Sequence, residues 1–175
     1  MDIPRRPKDR IPRMTAKEFN KSVDQYADNL FRFVVKHLRN EDAARDVVQE
    51  TFAKVWQKHE DINAEKVKSY LFTTAHRTLI DLLRKEKYTQ DQIYIDQISH
   101  AEPVKNMDLQ KILDNALDQL PEIQKTVVLL RDYEGYSYDE IGQITGLEAS
   151  QVKVYIFRAR KKLQKILVSV EAVLD

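Results

Sequence analysis

The chain has 175 residues, of which 42% are hydrophobic and 33% charged, with only three glycines and five prolines. That is the length of one domain or two small ones, and the composition of a soluble, mostly helical protein. The lack of cysteine excludes disulfides and thiolate metal sites, and four scattered histidines (His37, His59, His76, His100) leave no paired metal ligands.

The longest apolar runs are far too short to span a bilayer, and no secretory signal is visible. A cytoplasmic protein with no direct membrane insertion is expected. The 29 basic and 28 acidic residues nearly cancel but are not mixed evenly. Residues 1–17 hold six basic and two acidic side chains, residues 108–137 three and six, and residues 153–165 six and none. Local anionic contacts are expected rather than a surface sticky all over.

In chain order, the proline-rich and basic residues 1–17 read as a disordered tail. Met14, just before the first helical pattern, is a second candidate start. Phe19, Val23, Tyr26, Leu30, Val34 and Leu38 then form the stripe of an amphipathic helix. Asn40 is placed to cap a second helix carrying Ala44, Val48, Phe52, Val55 and Trp56. Asn63 or Ala64 opens a third, with Val67, Leu71, Ala75, Leu79 and Leu82 on one side. These make a compact bundle over residues 18–88. Residues 89–107 are polar and aperiodic, and read as a flexible linker.

Residues 108–171 read as a second helical module. Its first helix carries Leu109, Ile112, Leu113, Ala116, Leu117 and Leu120. Pro121 can open the next, which Gly135 should stop. Ser137 and Glu140 match a capping box, S-x-x-E, at the start of a short helix. Gly142 is expected to admit a neighbouring helix, and Gly146 a left-handed turn anchored by Leu147. The last helix turns Val152, Ile156, Ala159 and Leu163 inward. Its other face carries Ser150, Val154, Phe157 and Lys161, flanked by Lys153 and Arg158. Two helices joined by a glycine turn, the second basic outside, form a helix-turn-helix suited to a major groove, with Arg160, Lys161, Lys162 and Lys165 nearer the phosphates. The fold class expected is all-α, with two small helical domains.

"ARDVVQETFAKVW" (Ala43 to Trp56), "VKSYLFTTAHRTLIDLLRKEK" (Val67 to Lys87) and this helix-turn-helix, in that order, resemble an RNA polymerase sigma factor of the sigma-70 type. Length and two-module plan are similar to the extracytoplasmic-function (ECF) subfamily. The resemblance implies a non-enzymatic protein that binds core RNA polymerase and directs promoter-specific initiation, with no catalytic residues, cofactor or metal. It implies core docking by Asp46, Gln49, Glu50, Thr51 and Lys54. It implies capture of the melted minus-ten strand by Asn63, Lys66, Lys68, Phe72, His76, Arg77, Arg84 and Lys85, with Tyr70 a further aromatic candidate for stacking on bases. For the minus-thirty-five element it implies Arg131, Ser150, Lys153, Val154, Phe157, Arg158, Lys161 and Lys162. Promoter DNA and an anti-sigma factor, often membrane-bound, are the other implied partners.

The sequence departs from the pattern at two positions. Arg77 stands where the family usually has asparagine, and Glu148 where serine often caps the recognition helix. Glutamate caps poorly, so the helix start is expected to shift toward Ser150. The competing reading is a stand-alone helix-turn-helix regulator, but the N-terminal half shows no βαβ alternation for a receiver domain. A helical adaptor is a third reading. No glycine-rich phosphate loop or nucleophile–base pair supports an enzyme.

Overall fold

The computed structural model describes residues 13–90 and 109–174. Residues 91–107 of the expected linker over 89–107, residue 108 and the first twelve residues of the tail lie outside these. Among the described residues the regular structure is helical, apart from one isolated antiparallel bridge between Arg13 and Asn63.

Helix α1 (Ala16–Leu38) begins at a complete capping box. The Thr15 hydroxyl accepts from the Glu18 amide at 3.3 Å, and the Glu18 carboxylate accepts from the Thr15 amide at 2.7 Å. These bonds hold the Glu18 carboxyl below its ordinary pKa. The tail expectation therefore fails at its end: residues 13–17 are ordered, Met14 is buried, and α1 starts at Ala16. Arg39, in the left-handed region at φ 54°, ends the helix. Asn40 then caps α2 (Glu41–Gln57) by accepting from the Ala43 amide at 3.0 Å. Two short 3₁₀ turns, His59–Asp61 and Ala64–Lys66, lead into α3 (Val67–Gln90), which runs beyond the expected domain edge at residue 88. Leu30, Val34, Ala44, Val55, Leu71, Ala75 and Leu79 are buried where the three helices meet.

The second module holds α4 (Leu109–Asp118), α5 (Glu122–Val128), α6 (Tyr138–Thr145) and α7 (Ala149–Leu174). Pro121 precedes α5, which continues as a π turn over Leu129–Tyr133, and Gly135 has φ 74°. Leu117, Val127, Leu130, Ile141, Ile144, Val152, Ile156 and Ala159 fill the core.

The modules are not held apart. Phe33 of α1, Phe72 of α3 and Tyr136 form an aromatic chain with centroid spacings of 5.6 and 5.4 Å, which buries Phe72 completely. Around it Asn29 donates to Glu134 at 2.9 Å, Lys36 pairs with Asp114 at 3.1 Å, and Arg39 reaches both Asp114 and Asp118 at 3.0 Å. The acidic excess of residues 108–137 thus meets basic side chains of α1. Partly exposed pairs of this kind contribute about 0–1 kcal/mol each, so they orient the contact more than they drive it.

Candidate nucleic-acid interface

The helix-turn-helix is built from local chemistry. Ser137 and Glu140 form the expected capping box, with bonds of 3.3 and 2.8 Å. Gly146, at φ 79°, ends α6 and returns its amide to the Gly142 carbonyl. A Cβ on Gly142 would stand 2.6 Å from the Leu147 carbonyl oxygen. The close approach this glycine permits is therefore made by the turn itself rather than by a neighbouring helix. The start of α7 does not shift to Ser150: the helix begins at Ala149, and the Gln151 side chain accepts from the Glu148 amide at 2.9 Å. This is the half of a capping box that the third helical residue supplies, made here by Gln151 without a serine at the cap.

On α7, Ser150, Lys153, Val154, Phe157, Arg158, Lys161 and Lys162 are all exposed, while Val152, Ile156 and Ala159 are buried. Phe157 is 66% exposed amid cations. Three basic groups are engaged within the protein. Arg160 pairs with Asp132, and the Lys162 ammonium donates to the Gln119 carbonyl. Arg131 donates to the Tyr136 carbonyl at 2.7 Å and lies 4.9 Å over the Tyr138 ring, bracing the entry to α6 instead of standing free.

Along α2, Asp46, Gln49, Glu50 and Lys54 are exposed, with Lys54 paired to Glu50 at 2.6 Å. Asp46, Glu50 and Lys54 border a cleft of about 320 Å³ shared with Thr78, Asp81 and Lys85 of α3. Thr51 is not part of this face. It is completely buried and donates to the Val47 carbonyl at 2.7 Å, because the buried stripe runs Ala44, Val47, Thr51, Val55.

Helix α3 divides the expected minus-ten residues. Lys66, Arg77, Arg84 and Lys85 are exposed, as is Tyr70 at 46%. Asn63 is half-buried, and its side-chain oxygen accepts from the Glu65 amide at 2.9 Å. Three others face the second module. Phe72 lies in the aromatic chain. Lys68 donates to the Glu134 carbonyl at 3.3 Å and sits 4.4 Å over the Tyr136 ring. His76, expected at the surface, is 7% exposed and its Nε2 has no partner. Burial, with Arg77 beside it, pushes the His76 pKa down to about 4. The reason for all three is one geometry: Lys68, Phe72, His76 and Ile80 recur every four residues, forming one stripe turned to the other module. A cleft of about 340 Å³ separates its far end from Ile144, Thr145 and Gly146 of the helix-turn-helix. Arg77 has no ion pair with Asp81 among the described residues, where Asp81 approaches Arg84 at 3.9 Å.

His37, which carried no expectation, is buried at the same contact. The Phe33 carbonyl can only accept, so Nδ1 donates to it at 2.9 Å, leaving Nε2 to accept from the Thr126 hydroxyl at 3.0 Å. Burial takes its pKa down to about 3. Glu122 Oε1 lies 3.2 Å from the same nitrogen, and burial raises the pKa of that carboxyl.

Comparison with known proteins agrees with this layout. Residues 23–89 match the family model "Sigma-70 region 2", and residues 110–163 match "Sigma-70, region 4". The RNA polymerase sigma factor SigV of Bacillus subtilis (strain 168) is 32% identical over 145 residues, covering 81% of this chain and 86% of that protein. The chain belongs to the sigma-70 family. The ECF sigma factor SigW of the same organism is 29% identical over 83% of this chain and 86% of its own length. The structure of the sigma factor RpoE in complex with the anti-sigma factor NepR from Bartonella quintana superposes with a TM-score of 0.72 at 27% identity, covering 87% of this chain and 98% of that one. As an ECF sigma factor, the protein is a non-enzymatic initiation factor that works with core RNA polymerase at promoters. No helix among the described residues is long and apolar enough to cross a membrane.

Proposed function

We propose a division of labour within this sigma factor. The exposed Asp46, Gln49, Glu50 and Lys54 of α2 dock on core polymerase. The loop before α3 and the exposed stripe of Tyr70, Arg77 and Arg84, with Lys66 and Lys85 beside it, capture the melted minus-ten strand. Ser150, Lys153, Val154, Phe157 and Arg158 of α7 read the minus-thirty-five element, Lys161 holds its phosphates, and Arg131 and Lys162 act from behind. Unstacked bases need aromatic and planar cationic surfaces, which Tyr70 and Arg77 supply. The protein works in the cytoplasm, and an anti-sigma factor, the kind of partner that RpoE has in NepR, is its regulator.

The observation that carries this reading is the exposed Phe157 within the basic face of a capped helix-turn-helix. An apolar ring among cations suits contact with a thymine methyl between phosphates. Lys68, Phe72 and His76 are covered by the second module, so this arrangement is a closed one that must open before Lys68 meets DNA.

Gel shifts and run-off transcription on a promoter library, with and without core polymerase, test the reading. Specific binding and transcripts are expected only with core. Specific binding by the free protein would instead support a stand-alone regulator.

A further inference from the structure

The loop between α2 and α3 is anchored at both ends, by Arg13 and Met14 just before α1 and by Phe19 in its first turns. At its far end the Met14 amide donates to the Ile62 carbonyl at 3.1 Å, within the antiparallel bridge of Arg13 and Asn63. The Met14 and Ile62 side chains are 2% and 3% exposed, in one hydrophobic cluster. Arg13 reaches Glu60 at 3.7 Å. At the near end, Phe19 tilts against Trp56 at 4.9 Å, and Trp56 stacks on His59 at 4.0 Å with 6° between the planes. Met14 stands directly before the Thr15 cap and Phe19 four residues after it, the spacing of a hydrophobic staple. The capping box therefore fixes the direction in which Arg13 and Met14 leave the helix.

Between these anchors Glu60 and Asp61 stay exposed, while Asn63 caps the turn that starts α3. Reading an unstacked base by hydrogen bonds requires such groups to be held within about 0.5 Å of their working positions. A surface loop has no such rigidity unless apolar side chains pin it. Of the loop residues only Ile62 is fully buried, in the same hydrophobic cluster as Met14, and its carbonyl accepts from the Met14 amide.

We propose that Met14 is a positioning residue for minus-ten strand capture, holding the Lys58–Lys66 loop in the shape that presents its polar groups to the displaced strand. This rests on the assignment of that loop and α3 to the melted strand.

The test compares Met14→Ala, Met14→Leu and Asp61→Ala in reconstituted holoenzyme. Met14→Val, which removes less buried volume, replaces the alanine variant if that one does not fold. Three affinities are measured: for core polymerase, for duplex bearing only the upstream element, and for a single-stranded minus-ten oligonucleotide series with each base varied. Met14→Ala is expected to lower oligonucleotide affinity about tenfold and flatten base preference. Its core and duplex affinities should stay within about twofold, and Met14→Leu should restore both strand properties. An equal fall in all three affinities would reduce Met14 to a fold residue and overturn the proposal. Unchanged strand binding in Met14→Ala alongside impaired Asp61→Ala would overturn it while leaving the loop assignment standing. Unchanged binding in both would remove the assignment as well.

Discussion

The two helices assigned to DNA, α3 and α7, have similar lengths and opposite situations. On α7 one side is buried, through Val152, Ile156 and Ala159, and everything opposite is open. On α3 two adjoining sides are buried. Leu71, Ala75 and Leu79 face its own bundle, while Lys68, Phe72, His76 and Ile80 face the second module. The difference shows what a contact between modules does to a functional helix: it takes charged and aromatic residues that would suit DNA and turns them to structural use. The open stripe of α3, from Tyr70 through Arg77 to Arg84, is what remains for a strand in the closed arrangement.

Truncating the two aromatics of α3 breaks the comparison most sharply. Phe72→Ala should destabilise the protein by about 3–5 kcal/mol, as loss of a completely buried ring does. Tyr70→Ala should barely move stability yet weaken strand capture by about 1–3 kcal/mol, the worth of one stacked base. Urea melts and binding of a minus-ten oligonucleotide to holoenzyme measure the two effects. If Phe72→Ala melted normally and lost the strand, the assignment of inner and outer stripes would be reversed.

On α7 the comparison can be sharpened within one face. Arg158→Ala should cost about 1–3 kcal/mol on the matched upstream element and relax preference at one position. Lys161→Ala should weaken all sequences alike and reduce the salt slope by about one. Identical profiles for the two would show that base and phosphate contacts are not divided in this way. Arg77, on the open stripe of α3, separates its own alternatives by substitution. Stacking predicts that both lysine and alanine open the promoter poorly, because lysine lacks the plane. Phosphate contact alone predicts near-normal melting with lysine, read by permanganate footprinting. Normal melting with alanine would take Arg77 off the interface.

The contrast also explains what was legible in the sequence. Caps at Asn40, Ser137 and Gly146 are local, since each bonds within a few residues, and the sequence carries the whole signal. The outward face of α7 is legible for the same reason, because a single apolar stripe has a single period. Thr51 and His76 were misplaced because a polar side chain can lie in a buried stripe once a bond or a neighbouring surface accepts it. The contacts of Arg39 with Asp118 and of Phe72 with Tyr136 join residues far apart in the chain, which no local period records. The acidic excess of residues 108–137 was visible, but not that α1 would be the partner of several of its carboxylates. Met14 read as a possible start because its partner, Ile62, lies beyond two helices.

The smallest expected effect concerns pH, and it asks whether the closed side of α3 differs from the open one in protonation. His76 titrates ordinarily near 6.5 and is lowered to about 4 when covered. Its covered form therefore binds protons less well than its exposed form, so closure is fully favoured above 6.5 and loses ground as pH falls from there toward 4. Between pH 7 and 5.5 one such group weakens closure by about 1 kcal/mol. The facing turn of Ile144, Thr145 and Gly146 offers no carboxylate to offset this, while Arg77 beside it on its own helix opposes protonation. His37 acts in the same direction, partly offset by Glu122, whose raised pKa strengthens closure as pH falls. The His76→Gln variant isolates the term, since it keeps a polar side chain without a titrating ring. Because the chain has no cysteine, a pair introduced at the exposed Gln57 and Gln164 gives unique sites for dyes, and energy transfer between them reports the distance between modules. Wild type should open more steeply than His76→Gln between pH 7 and 5.5, by about that 1 kcal/mol. Parallel profiles would mean that His76 stays equally solvated in both arrangements, and that the covered side of α3 is not covered in solution.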